Sequence, residues 1–81
     1  MTEVTVRYFA GAVEAAGTDR ESLVASTAAE LRAAMIAAHG EELARVLDRC
    51  SLLADGVRLD DPGVSLPPGA TVDVLPPFAG G

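Results

Sequence analysis

Residues 70–75 read Ala-Thr-Val-Asp-Val-Leu, and residues 76–81, which follow them, read Pro-Pro-Phe-Ala-Gly-Gly. The alternation in the first stretch predicts a half-buried strand with Val72 and Val74 on one face. The two prolines that follow have no N–H to donate to a sheet, and they hold the backbone extended. The pattern therefore predicts a strand that stops at Leu75 and a chain that continues outward in the same direction.

Residues 76–81, called the tail below, suit insertion into the active site of another protein. Glycine has no Cβ, so the pair Gly80-Gly81 lets the backbone lie in a channel too narrow for side chains. At about 3.3 Å per residue, the tail reaches about 20 Å beyond the folded part. Small residues also collect at chain ends that have no function, so the context of the pair decides between the two interpretations. We expect a flexible tail whose partner-binding residues are Pro76, Pro77, Phe78, Ala79 and Gly80.

Hydrophobic periodicity predicts further strands and helices upstream of the tail. Residues 3–9 alternate and are rich in β-branched and aromatic side chains, with Val4, Val6 and Tyr8 on one face, which is typical of an opening strand. The other predicted elements are, in chain order, a short helical turn or loop at 10–17, a strand at 21–25, a helix at 27–40, a short helix at 41–49, and strands at 50–53 and 57–59.

The central helix carries the clearest local signal. Thr27-Ala28-Ala29-Glu30 fits a capping box, in which the threonine hydroxyl and the glutamate carboxylate accept from unpaired amides at the helix start. His39-Gly40 is a suitable stop for this helix. An apolar stripe at helical spacing predicts its buried face, at Ala28, Leu31, Ala34, Met35 and Ala38. Farther along, Asp55-Gly56 predicts a tight turn between two short strands.

The order of strand, strand, helix and then short strands predicts an α+β domain of the β-grasp (ubiquitin-like) class. In this arrangement a central helix packs on a mixed sheet whose first and last strands are neighbours. We assign residues 1–75 to the domain and residues 76–81 to the extended tail. A chain of 81 residues is long enough for one such core and too short for a deep catalytic cleft of its own.

Composition narrows the classes of partner. The net charge is −6, with six arginines and no lysine, which argues against nucleic-acid binding because that function needs a basic stripe, and which favours basic protein partners. The single cysteine, Cys50, allows no internal disulfide, and its isolation favours a cytoplasmic location. We expect no membrane association, since no segment approaches the apolar length of a membrane span and the first residues carry no leader pattern.

Four polar features are explained more simply by structure than by chemistry. We interpret His39 as a solvent-facing cap or dipole partner at a helix end, since the chain has no second histidine to share a metal ion. Asp60-Asp61 precedes Pro-Gly and favours a turn over acid–base catalysis, and Glu41-Glu42 favours the first turn of a helix. Cys50 favours a buried strand residue over a disulfide with the tail. We predict no metal site and no phosphate-binding loop for ATP.

Four segments make the chain similar to the MoaD/ThiS group of small sulfur carriers, and most similar to the small subunits of molybdopterin synthase. They are Val-Arg-Tyr-Phe-Ala at 6–10, Thr-Ala-Ala-Glu-Leu at 27–31, Leu-Ala-Asp-Gly at 53–56 and Leu-Pro-Pro-Phe-Ala-Gly-Gly at 75–81. The last segment is the specific one, because members similar to this chain carry a Pro-Pro pair, a hydrophobic residue, a small residue and a final Gly-Gly.

The resemblance implies a chain that is not an enzyme by itself. A ubiquitin-activating-type adenylating enzyme, using ATP and Mg²⁺, forms an acyl-adenylate at the carboxylate of Gly81, and a sulfur donor protein converts it to a thiocarboxylate. The large catalytic subunit of molybdopterin synthase, assembled with the carrier as a heterotetramer, then transfers the sulfur to a pterin precursor of the molybdenum cofactor. The resemblance implies no cofactor bound by the chain itself.

Two questions stay open at the level of sequence. Phe78 either anchors the tail in a partner's pocket, since buried aromatic side chains often dominate interface energies, or packs back on its own sheet. Gly81 serves equally well in a ubiquitin-like modifier that forms isopeptide bonds with other proteins. A sulfur carrier for cysteine synthesis, thiazole synthesis or tRNA thiolation needs the same terminus.

Overall fold

The structure, a computed structural model, describes residues 2–77. These residues form one five-stranded sheet with three helices packed on one of its faces. The elements are β1 (Glu3–Tyr8), α1 (Gly11–Ala16), β2 (Arg20–Val24), α2 (Ala28–His39), α3 (Glu41–Leu47), β3 (Ser51–Ala54), β4 (Val57–Arg58) and β5 (Thr71–Leu75).

The strand order across the sheet is β2-β1-β5-β3-β4. The first and last strands, β1 and β5, lie side by side and parallel, with Tyr8 opposite Val74. The other pairs are antiparallel, and β3 places Ser51 opposite Leu75 at the end of β5. The sheet is therefore mixed, and the predicted β-grasp fold is confirmed, with β5 as its central strand.

The core lies between the helix-facing side of the sheet and the helices. Alternate residues of the two parallel strands face it, as the sequence predicted: Val4, Val6 and Tyr8 from β1 and Val72 and Val74 from β5. The helices contribute Leu31, Met35, Leu43 and Leu47 to the core, and the loop before β5 contributes Leu66. Burial of this apolar surface is the main stabilising contribution to a domain of this size.

The start of α2 follows the predicted capping box, except that the Glu30 carboxylate binds the amide one residue before Thr27. The hydroxyl of Thr27 accepts a hydrogen bond from the Glu30 amide at 3.2 Å, and the Glu30 carboxylate accepts one from the Ser26 amide at 2.8 Å. The predicted apolar stripe is too wide, since Ala34 is half-buried and Ala38 is exposed. The reason lies in the last turn of α2, where His39 and not Ala38 takes the inward position.

The predicted turns are confirmed. Asp55 and Gly56 join β3 to β4 with φ angles of 49° and 85°, the left-handed conformation that a two-residue hairpin loop requires at both positions. In the turn after β4, Asp61 Oδ1 accepts a hydrogen bond from the Gly63 amide at 2.8 Å. Aspartate side chains stabilise turns in this way, so the pair Asp60-Asp61 has a structural role here.

Candidate functional site

The candidate site begins where the central strand ends. β5 makes its last pair, Leu75 with Ser51, and the backbone then enters the two prolines. Pro76 is half-buried and Pro77 is exposed. The predicted end of the strand at Leu75 is confirmed, and β5 carries the start of the tail out from the middle of the sheet rather than from its edge.

The structure places two of the predicted site residues, Pro76 and Pro77. The other four, Phe78, Ala79, Gly80 and Gly81, lie outside the described residues. The roles assigned to them, partner binding for the first three and the covalent attachment of sulfur for Gly81, stay predictions. The division into a domain at 1–75 and a tail at 76–81 has the same status.

The sheet presents a second surface beside the tail, its open face, which is the side away from the helices. Residues that alternate with the core residues stand on this face, and the strand register aligns five of them in one row across the sheet. In strand order the row is Arg20, Arg7, Asp73, Leu53 and Arg58. The row lies close to the base of the tail, because Asp73 is three residues before Pro76.

The middle of the row is an ion pair between the two parallel strands. Arg7 donates from Nε to Asp73 Oδ1 at 2.6 Å and from Nη2 to Asp73 Oδ2 at 2.9 Å. The guanidinium carbon of Arg7 also lies 5.6 Å from the centre of the Phe9 ring. This two-bond geometry fixes the plane of the guanidinium, and the hydrogen bonds and charge of Asp73 raise the pKa of Arg7.

The alternation in residues 70–75 predicts that Asp73 faces away from Val72, but it does not predict that Asp73 pairs with Arg7. The two residues are 66 positions apart, and their contact depends on the parallel register of β1 and β5. Alternation along each strand predicts which face a residue takes. It does not predict which residue of the neighbouring strand lies beside it.

A second polar cluster lies on the helix-facing side, where β2 meets the end of α2. The hydroxyl of Tyr8 donates to Glu21 Oε2 at 2.5 Å, and His39 Nε2 lies 2.5 Å from the same oxygen. The Tyr8 and His39 rings are edge to face, with centroids 5.9 Å apart. The prediction that His39 faces solvent is wrong, since its side chain is only 15% exposed and is held by Glu21.

This cluster is a structural link between β1, β2 and α2. The tyrosine hydroxyl is buried beneath the glutamate, and burial first, followed by the hydrogen bond to Glu21 and its negative charge, raises the pKa of Tyr8 far above its usual range. A phenol that keeps its proton cannot serve as a base. Within residues 2–77 there is also no group of three or more histidine, cysteine, aspartate or glutamate side chains suited to hold a metal ion.

Cys50 differs from its predicted environment. It precedes β3 rather than lying in it, and it is half-buried, with its Sγ donating to the Val46 carbonyl at 3.1 Å. The loop that leaves α3 turns the thiol back toward the helix, which explains the difference. Burial raises the pKa of the Cys50 thiol and the nearby Arg32 lowers it by less, so the reactive thiolate form is disfavoured.

The sequence profile of the ThiS family matches residues 6–81. The chain belongs to the ThiS family. The match covers nearly the whole chain and includes all six residues of the tail, so the resemblance to the MoaD/ThiS group is confirmed. Small sulfur-carrier subunits of this kind are non-catalytic partner proteins. No curated protein matches the chain.

Solved structures support the same fold. Small archaeal modifier protein 1 from Haloferax volcanii is 22% identical, with a TM-score of 0.82 over 98% of this chain and 99% of that one. Its namesake from Methanosarcina acetivorans is 22% identical, with a TM-score of 0.84 over 100% and 98%. In a complex of subunits 1 and 2 of molybdopterin-converting factor from Helicobacter pylori, one chain is 28% identical, with a TM-score of 0.74 over 99% and 100%.

The chain is therefore of the ThiS/MoaD sulfur-carrier type, with a ubiquitin-like fold. Among the described residues, none of the helices has the length and apolar character needed to cross a membrane.

Proposed function

We propose that this ThiS-family chain is the sulfur-carrier subunit of molybdopterin synthase. The observation that carries the proposal is the position of the tail. The central strand of the sheet ends at Leu75, the prolines follow at once, and the family match continues to Gly81. A rigid domain then presents a narrow segment to the active site of another protein.

The proposed chemistry takes place at the carboxyl group of Gly81. An oxygen of the carboxylate attacks the α-phosphorus of ATP, bound with Mg²⁺ on a ubiquitin-activating-type enzyme, and pyrophosphate leaves. The acyl-adenylate is a good electrophile, whereas a free carboxylate is a poor one. A sulfur donor protein then supplies a persulfide whose terminal sulfur displaces AMP and forms an acyl disulfide. A thiol attacks the donor's sulfur in that S–S bond, a disulfide forms on the donor, and the thiocarboxylate is released.

The charged tail next enters the large catalytic subunit of the synthase. Sulfur passes to a pterin precursor, and the carrier returns with a carboxylate, so two rounds are needed for the two sulfurs of one dithiolene. The carrier supplies the sulfur atom and its positioning, while the partners supply acids, bases and nucleotide sites. We propose a heterotetramer of two carriers and two large subunits.

The base of the tail suits docking on such a partner. Phe9 and Leu75, each half-buried, stand on the open face where β1 and β5 end, next to Pro76. An apolar patch of this kind, with a tail beside it, allows a partner to hold the domain while the tail enters its active site. In the same complex we propose Phe78 as an anchor in a partner's pocket.

The test is intact-mass measurement of the purified chain after incubation with the adenylating enzyme, ATP, Mg²⁺, a persulfide donor and a thiol reductant. We expect a mass gain equal to sulfur minus oxygen. Adding the large synthase subunit and the pterin precursor should return the mass to its starting value. A chain that gains no sulfur contradicts the proposal, and a chain that gains sulfur but is not discharged by the pterin system points to the cysteine, thiazole or tRNA pathways.

A ubiquitin-like modifier is the second candidate. The similarity in fold to two small archaeal modifier proteins favours it, and the absence of lysine means that the chain offers no side-chain amine as an acceptor for its own activated Gly81. If this candidate is correct, mass analysis of the cellular protein should find Gly81 joined to lysines of other proteins and no thiocarboxylate.

A further inference from the structure

Arginines are concentrated on the open face of a chain that is acidic as a whole. Three of the six arginines, Arg20, Arg7 and Arg58, stand in the row across this face. The strands place only two carboxylates there, Glu3 and Asp73, although the chain has twelve acidic residues and a net charge of −6. Outside the strands, Asp60 adds a carboxylate that pairs with Arg58 at 2.7 Å.

Two arginines of the row stand directly opposite each other. The antiparallel register of β1 and β2 pairs Arg7 with Arg20. Like charges directly opposite on neighbouring strands destabilise a sheet. Within the described part of the chain Arg20 forms no ion pair, so the carboxylate of Asp73 compensates Arg7 alone.

Arg7 is held ready for a second acceptor. Its Nε and Nη2 donate to Asp73, and one face of the guanidinium lies over the Phe9 ring. Nη1 is therefore available to donate to another acceptor. The Arg7 side chain is 46% exposed, so this group is accessible. A guanidinium whose orientation is already fixed loses little conformational entropy when it binds a carboxylate.

We propose that Arg7 and Arg20 together bind a carboxylate side chain of the protein that takes up the tail. A carboxylate placed between them compensates the second positive charge, and the pair lies at the end of the sheet from which the tail leaves. This inference rests on the proposed function for the choice of partner. It reverses, for this face, the expectation of a basic partner that net charge alone favours.

The test compares two charge reversals of equal size. Arg20→Glu alters the open face, and Arg45→Glu alters an exposed arginine on α3, which packs on the opposite side of the sheet. Binding of each variant to the large synthase subunit is measured by calorimetry. We expect Arg20→Glu to weaken binding about tenfold or more and Arg45→Glu to change it less than about twofold. Equal effects of the two variants would overturn the inference.

Two readouts separate a binding role from a structural one. The melting temperature of Arg20→Glu should equal or exceed that of the wild type, because a carboxylate opposite Arg7 replaces a like charge. Carboxylates of the large subunit are then changed to arginine one at a time, and one such change should restore binding of Arg20→Glu. Failure of every change to restore it would refute the proposed contact.

The same variants are measured against the adenylating enzyme, so that failure of the proposed function can be recognised separately. If the wild type binds only the adenylating enzyme, the assignment to molybdopterin synthase fails. The inference then stands if Arg20→Glu weakens binding to the adenylating enzyme, and fails if it does not. Wild-type binding to neither protein overturns both. Tight binding of single-stranded DNA that depends on Arg20 would also overturn the inference, since Arg7 and Arg20 would then bind phosphates rather than a carboxylate.

Discussion

Tyr8 connects the core to the polar cluster at the end of α2. Tyr8 is buried at 2% exposure, yet its hydroxyl donates a hydrogen bond to the Glu21 side chain. The direction of the Tyr8 pKa shift determines how the stability of the fold changes with pH. The pKa of Tyr8 is raised in the folded state, so the folded protein holds a proton that the unfolded chain releases above about pH 10. The stabilising contribution is complete below that pH and is lost as the pH rises further.

The first prediction follows from the raised pKa of Tyr8 and from the presence of only one tyrosine. Raising the pH above 10 should produce no tyrosinate absorbance until the protein unfolds, and the two transitions should coincide. Absorbance and circular dichroism, recorded in one alkaline titration, measure this. A tyrosinate signal that rises near pH 10 while the fold is intact would contradict the buried hydrogen bond.

The second prediction concerns the strength of that hydrogen bond. Tyr8→Phe keeps the ring and removes the donor to Glu21, and we expect a loss of about 1–2 kcal/mol in the free energy of unfolding by urea. The control is a double-mutant cycle with Glu21→Gln, whose coupling energy isolates the pair. A coupling energy near zero would mean that the contact contributes nothing to stability.

At the scale of elements, the hairpin between β3 and β4 depends on two residues with positive φ. Its turn is also tied to β5, since the Asp55 amide donates to the Thr71 carbonyl at 2.8 Å and the Thr71 amide donates to Asp55 Oδ1 at 3.0 Å. Strain in this turn therefore acts on the start of the central strand as well as on the hairpin.

The third prediction is a loss of about 1 kcal/mol or more in Gly56→Ala, because a Cβ is strained at a φ of 85° even though nothing lies within 4 Å of it. The matched control is Gly11→Ala, at the start of α1, where φ is not in the left-handed region and nothing lies within 4 Å either. Urea denaturation of the two variants should separate backbone strain from added volume. Equal stabilities would argue against the hairpin geometry.

Local signals in the sequence accounted for most elements and few of the contacts between them. Alternation, a capping box and an Asp-Gly turn act over a few residues, so β1, α2 and the β3–β4 turn were predictable. The pairing of Arg7 with Asp73 and of His39 with Glu21 joins distant elements, and it depends on strand register and on the position of β2 under α2. The tail was identified from composition and resemblance, and most of it lies outside the described residues.

At the scale of the whole molecule, the domain and the tail have separable roles. Every buried hydrophobic residue of the described part lies between Val4 and Val74. The core is thus complete before the prolines begin, and the proposed chemistry is confined to the tail.

The fourth prediction tests that separation. Deleting Gly81 should abolish the gain of sulfur measured by intact mass and leave the melting temperature unchanged within error. Val72→Ala is the opposite control: it should lower the free energy of unfolding by about 2 kcal/mol through the cavity it creates, and the folded fraction should still accept sulfur. A large drop in melting temperature on removal of Gly81 would show that the tail supports the fold.

The central place of β5 has a consequence for synthesis on the ribosome. β1 and β3 both need β5 as a neighbour, and the backbone edges of β1 and β3 that pair with β5 stay without that partner until residue 75 has left the exit tunnel. Domains generally fold as units, so a nascent chain halted within the preceding loop has no stable intermediate to occupy. Translation must therefore deliver nearly the whole domain before any of it is protected from proteases or chaperones.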